Sequence, residues 1–358
     1  MKTNASIFRS LATVIALAFG TATQTSFAQT TSATTPVGFV TMTIAGGGTS
    51  SAPVYTFTSL GLVNPIAFQS TTTTSTVGTT AIGDTAATWA NNGYNSTTAG
   101  APPTHFVEIL SGPAAGSMYD IVTTDGTGKS LTVSPTLAAG VTTGVSYAIR
   151  PHWTLASVFG VTNQNGLAAG DITTADQIQL FRNGGYLTYY YQATGVFGGA
   201  GWRKTGDSFA DVSTAVIYPD DGIVIARKQS TATSIIIQGA VKTGQSSIPV
   251  TTGFSLLGNV YAAAMNLGTA NLYTGDPATG LAAGDITTAD QVMFWNGTGF
   301  NTYYYQAAGV FGGAGWRATG DSFADASSTP IPVGAALFVK RAGATFNWVA
   351  PQTPANFN

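Results

Sequence analysis

The chain has 358 residues, of which only 8% are charged, with a formal net charge of −2 and no cysteine. That balance lacks the basic footprint of nucleic-acid binding, and without thiols there are no disulfides, thiolate metal sites or cysteine nucleophiles. Gly, Thr, Val, Tyr and Phe are plentiful while Glu108 is the sole glutamate, a mixture that favours strands over helices.

The first residues read as an export signal. Lys2 and Arg9 supply the charged opening, Leu11 to Gly20 a short apolar core, and Ser26-Phe27-Ala28 a small-x-small cleavage site. Residues 1–28 are thus expected to be a signal peptide, with the mature protein in the periplasm, on the outer surface or outside the cell. The apolar run is too short to span a bilayer and no later run reaches about 18 apolar residues, so no transmembrane helix is expected.

Residues 29–69 are read as a Thr/Ser-rich leader and the first strands of a β module. Val37 to Ala45 alternates as a strand does. Ser51 to Val63 is echoed by Ser247 to Val260 at an offset of about 197, which aligns Phe57 with Phe254. A much stronger repeat follows: Gly166 to Asp211 returns as Gly280 to Asp325 at an offset of 114, with 35 of 46 positions identical. The two offsets differ by about 83 residues, which implies an insertion into the first copy.

Residues 70–151 are assigned to that insert, a small β domain. Phe106 to Leu110, Met118 to Val122, Leu131 to Val133 and Val145 to Ile149 read as its strands, separated by turns such as Asp125-Gly126. Phe106 to Ile121 also resembles a short β module of phage-tail and surface proteins, through its turn residues. Residues 152–228 then complete the first module and 229–358 form the second. The expected fold is all-β: two tandem copies of a β-sandwich or small-barrel module, the first carrying the inserted domain.

Within each copy, Asp171 to Asp176 and its twin Asp285 to Asp290 read as turns in which Asp and Thr cap their own backbone. A hairpin follows, Gln177 to Phe181 with Tyr186 to Gln192, joined through Asn183-Gly184 and, in the second copy, Asn296-Gly297. A two-residue loop puts Ile178 and Leu180 on one face with Tyr189 and Tyr191. The exchange of Leu187 for Asn301 implies that this face meets water, so a three-residue loop with a bulge is the favoured reading. Gly195 to Gly201 reads as a flexible glycine loop.

The opening Val37-Gly38-Phe39-Val40-Thr41, the Trp295-Asn296-Gly297 turn, the Tyr303-Tyr304-Tyr305 strand, Gly315-Trp316-Arg317 and the closing Pro332 to Arg341 together resemble a family of secreted verrucomicrobial proteins with no assigned activity. The resemblance covers nearly all of the mature chain. It implies an exported β-rich protein and carries over no site residue. The first copy departs from the pattern, with Arg182-Asn183 in place of the tryptophan-led turn.

No motif specifies catalysis. Gly198-Gly199-Ala200-Gly201 before Lys204-Thr205 lacks the glycine a phosphate loop needs ahead of its lysine, and the second copy has Ala318 at the lysine position. The recurring acids Asp171, Asp176, Asp207 and Asp211, with Asp285, Asp290, Asp321 and Asp325, lack the alternating spacing of a calcium hand and are read as turn caps. His105 and His152 are the only histidines and are read as ordinary surface or packing residues. The candidate ligand-binding residues are the aromatics Tyr189, Tyr191, Trp202, Tyr303, Tyr305 and Trp316; the two tryptophans are read as core, and for the outward tyrosines stacking platform and core are both open. The function expected is therefore that of an exported, non-catalytic structural or adhesive surface protein without a cofactor. It would act by self-association or contact with polysaccharide, with a carbohydrate-binding module as the alternative and a secreted polysaccharide hydrolase or an outer-membrane barrel ranked below it.

Overall fold

The computed structural model describes residues 36–351 apart from 77, 208 and 322; the expected signal peptide lies outside the described residues. The chain is all-β, with Leu155–Phe159 its one short helix among the described residues. That helix starts in a reciprocal capping box, Thr154 and Ser157 each bonding the other's backbone N–H.

Both copies build the same antiparallel five-stranded sheet. In the first the strand order is Gly201–Lys204, Gly185–Gln192, Gln177–Arg182, Ile223–Arg227, Val54–Thr58. The second repeats it with Gly315–Ala318, Phe300–Gln306, Gln291–Trp295, Ala336–Arg341, Gly253–Gly258. A two-stranded ribbon covers the inner face of each sheet: Val37–Ile44 with Thr233–Ala240, and Ser246–Val250 with Phe346–Ala350. Between ribbon and sheet lie the two module cores, one around Ile44, Leu62, Ile178, Ile225 and Trp202, the other around Ile248, Val292, Val339, Trp348 and Trp316.

The ribbon shifts a boundary expected from sequence. Ile235 and Ile237 lie in the first core, so the first module runs past residue 228 to Val241. The repeat loses register here because the preceding loop is one residue shorter in the second copy, where Trp348 takes the place of Ile235. The early echo also needs correcting. Thr58 pairs with Ile223 and Leu257 with Leu337, which fixes an offset of 199 and makes Leu256, not Phe254, the counterpart of Phe57. A slip of two residues keeps every side chain on its face, so alternation alone does not detect it.

The hairpin reading is overturned as well. Arg182 pairs with Gly185, leaving a two-residue loop in which Asn183 and Gly184 both have positive φ, 53° and 78°. These are the conformations of a type I′ turn, which matches the twist of the strands. In the second copy Asn296 N–H bonds Gly299 O, so Gly297 and Thr298 form the loop. Ile178 accordingly opposes Tyr189, and Leu180 opposes Leu187. Leu187 is half-buried at the margin of the core, and Asn301 at the same place is exposed and bonded by Asn296.

The insert is a seven-stranded sheet from Phe68–Thr71 to Ser146–Pro151 with its own core, including Val107, Ile121, Leu131 and Tyr147. Ninety-four residues separate Thr58 from Trp153, where seven separate their counterparts Leu257 and Met265. The sole glutamate secures the insert to the first module. Glu108, on the insert, is buried between Arg150 (2.7 Å) and Lys242, which follows the ribbon. Burial alone would raise the Glu108 pKa, but the two cations outweigh it and hold the carboxyl below its usual range.

The outer faces of the two five-stranded sheets meet each other. Val224, Leu256, Ala336 and Phe338 form that interface, and the Phe338 ring lies 5.4 Å from Phe181 and 5.7 Å from Phe300. The contacts are reciprocal: Gly258 N–H bonds Asp220 O, and the equivalent Ser59 N–H bonds Gly334 O, both at 2.8 Å. Two copies in one chain thus pair like subunits of an isologous dimer.

Candidate functional site

The six aromatics singled out by sequence are turned inward. Trp202 is 1% exposed and Trp316 4%, and the Trp202 Nε1 donates to Gly160 O at 2.9 Å. Tyr189 is buried, while Tyr191 is half-buried with its ring edge-on to Trp202 at 5.3 Å. Tyr303 packs on Phe294, and Tyr305 stacks on Tyr273 with ring centroids 3.4 Å apart. Tyr191, Tyr303 and Tyr305 stay half-buried at the margins of the module cores. Tyr190 and Tyr304, on the opposite face of the same strands, are buried too, beside Arg203 and Arg317 of their own copies. Alternation sorts inside from outside only when one face of a sheet is wet.

Of the recurring acids, Asp171 and Asp285 close their own turns, whereas Asp176 and Asp290 turn inward. Asp171 Oδ1 accepts from the N–H and Oγ1 of both Thr173 and Thr174, and these bonds hold its pKa down to about 2. Asp285 repeats the arrangement. Asp176 instead lies buried against Arg227 at 2.6 Å and accepts from the Ala168 and Lys228 N–H groups, as Asp290 does with Arg341, Ala282 and Ala342. These two are core ion pairs, not turn caps.

The aromatic residues that reach solvent sit on the glycine loops. Phe197 is 82% exposed and its twin Phe311 83%. Each rests edge-on against one partner, Phe209 at 5.4 Å and Phe323 at 5.3 Å. The loop, expected to be flexible, is held from beneath. Gln192 Nε2 donates to Phe197 O (2.9 Å) and Gly199 O (2.7 Å), and Arg203 Nη2 donates to Gly198 O (3.0 Å) and Gly199 O (3.2 Å). Gln306 and Arg317 make the same bonds in the second copy.

Gly198 has φ 97°, and a Cβ there would lie 2.8 Å from the Phe209 ring, so only glycine fits. Phe209 and Phe323 themselves adopt φ of 57° and 60°, a conformation that costs a non-glycine residue of the order of 1 kcal/mol. Each copy therefore holds an apolar ring out in water on a backbone fixed by buried Arg and Gln side chains. The sequence signal was local: a lone Phe inside Val-Phe-Gly-Gly-Ala-Gly, flanked by residues that cannot bury it.

A second duplicated feature lies beside the interface, where each copy's hairpin tip meets the other's first strands. Both junctions open into a cleft. One, of about 370 Å³, takes walls from the insert and both copies, including Phe106, Asp120, Arg182, Asp220 and Phe254. The other, of about 560 Å³, is walled by the two copies alone among the described residues, including Thr41, Phe57, Trp295 and Pro332. No family model matches the chain, and no curated protein matches it.

Proposed function

We propose that this is an exported, non-catalytic, adhesive cell-surface protein that works through the paired tips Phe197 and Phe311. The observation that carries the reading is that the same exposed ring, on the same clamped loop, occurs in both copies. Two equivalent contacts on one chain multiply a weak single interaction by raising the effective concentration of the second. An exposed phenyl ring gains by burial in a protein partner or by stacking on a sugar face.

Self-association has further support. The outer face of the first ribbon exposes Val37, Phe39 and Ile236 together, an apolar patch on a chain with little charge to keep copies apart. The test is a Phe197→Ser/Phe311→Ser double variant, measured by light scattering and by retention on insoluble polysaccharides. The wild type should form particles or be retained, and the double variant should do neither while keeping its Tm. A double variant that assembles and is retained like the wild type would refute the proposal. Which wild-type signal appears separates self-association from polysaccharide contact.

A further inference from the structure

The smaller cleft is chemically unlike its counterpart. Tyr218, Asp220 and Asp221 in its wall correspond to Pro332, Gly334 and Ala335 in the other, so the duplication left one junction charged and the other neutral. The insert adds Asp120 to the charged one, and His152, the residue just after the insert, lines it too.

Three carboxylates and one guanidinium line this cleft, and the guanidinium is already committed. Arg182 donates Nη2 to Asp221 Oδ2 and to Val216 O (2.9 Å), and it lies over the Tyr218 ring at 4.6 Å. Asp120 accepts from Tyr218 Oη at 2.8 Å and stands 3.0 Å from His152 Nε2. Asp220 forms no ion pair among the described residues, and its pKa is pushed up to about 6 by desolvation first and by the Asp221 charge second. The groups facing it are Asp221, Arg182 and Asp120.

An independent feature also points to an occupant. The His152 side chain is 1% exposed, sandwiched between the Phe106 and Tyr218 rings at 5.0 and 5.2 Å, yet its Nδ1 has no hydrogen-bond partner among the described residues. Buried polar atoms without protein partners are rare in folded proteins, and a bound water or ligand is one way in which their bonding is completed. Phe106, Phe181 and Phe254 give the wall its aromatic part, beside polar Ser134, Asn183 and Thr251, and the volume falls in the range of small-molecule sites.

We propose that this cleft binds a small organic ammonium ligand, its charge against Asp220 and its apolar body among Phe106, Phe181 and Phe254. Aromatic faces beside an uncompensated carboxylate are the surroundings such a cation prefers. The site is separate from the Phe197 and Phe311 tips, so either proposal stands without the other.

Titration calorimetry on the full mature chain tests it, with benzylamine as probe and benzyl alcohol as its neutral isostere. Benzylamine should bind with a Kd of about 1 mM or tighter at pH 7.5, a range open to a ligand of this size. Benzyl alcohol should bind at least about tenfold weaker, the factor that 1.4 kcal/mol of charge recognition supplies. Asp220→Asn should weaken benzylamine by a similar factor while melting no lower than wild type. Phe254→Ala, at a half-exposed position that leaves the fold secure, should weaken amine and alcohol alike. Equal affinity for the alcohol, unchanged amine binding in Asp220→Asn, or no heat from benzylamine up to millimolar concentrations would each overturn the proposal.

Discussion

The two junction clefts began as one feature and now differ. The cleft bounded by copies alone is neutral, whereas the one that also meets the insert carries Asp120, His152, Arg182, Asp220 and Asp221. Away from the junctions the copies hardly differ: Trp202 and Trp316, Arg203 and Arg317, and the Asp176–Arg227 and Asp290–Arg341 pairs occupy matching places. The identical positions are those a module needs to close its own core and hold its glycine loop. The divergent ones follow what each surface touches. The insert reaches the second copy too, through Ser247 N–H to Gly116 O (3.1 Å) and Gln245 Nε2 to Ala115 O (2.9 Å), so it joins both modules and walls only one cleft.

Substitutions at matched positions sharpen that contrast. The largest losses should be equal in the two copies: Trp202→Ala and Trp316→Ala should each cost about 3–5 kcal/mol in urea denaturation, through the cavity each leaves. An unequal pair would mean the cores are not equivalent. Next is a change with no counterpart in the second copy. Glu108→Gln leaves Lys242 and Arg150 buried without their anion and should cost about 3 kcal/mol, detected as an early transition of the insert. Because the Glu108 pKa is lowered on folding, its contribution is present above the ordinary carboxylate range and is lost as pH falls through the folded value.

Asp220 carries the opposite sign and a smaller effect. Its folded pKa lies above the unfolded one, so the folded state keeps a proton that the unfolded state has released. Stability should therefore fall as pH rises from about 4 to about 6, by on the order of 1 kcal/mol once water in the cleft is allowed for. Asp220→Asn should abolish that slope in a series of melting curves. The smallest effects belong to the tips: Phe197→Ala and Phe311→Ala should each change stability by less than about 0.5 kcal/mol, since neither ring has a core to leave. A larger loss in thermal melts would make these rings structural.

The sequence made the all-β class, the doubled block and the presence of extra strands in the first copy legible, because a repeat and a period of two are local signals. It also marked the two tryptophans as core, and both are buried. The face-to-face packing of the copies was hidden, since tyrosines alternate alike whether the far side meets water or a second sheet. The hairpin register failed for a related reason: the exchange of Leu187 for Asn301 between the copies looked like a wet face but lies at the margin of the dry one. The charged cleft left no trace at all. Asp120, His152, Arg182, Asp220 and Phe254 come from separate segments, and only the fold brings them together.

The adhesive reading turns on two tips acting together, and the most direct measurement compares single and double loss. Dissociation of surface-captured protein from its own copies, or from a retained polysaccharide, should be followed for Phe197→Ser, Phe311→Ser and the double variant. Two cooperating contacts predict that each single change speeds dissociation by at least tenfold, within the range that avidity supplies, and that the double variant shows no measurable capture. Dissociation of both single variants at the wild-type rate, with the double variant still captured, would contradict the account.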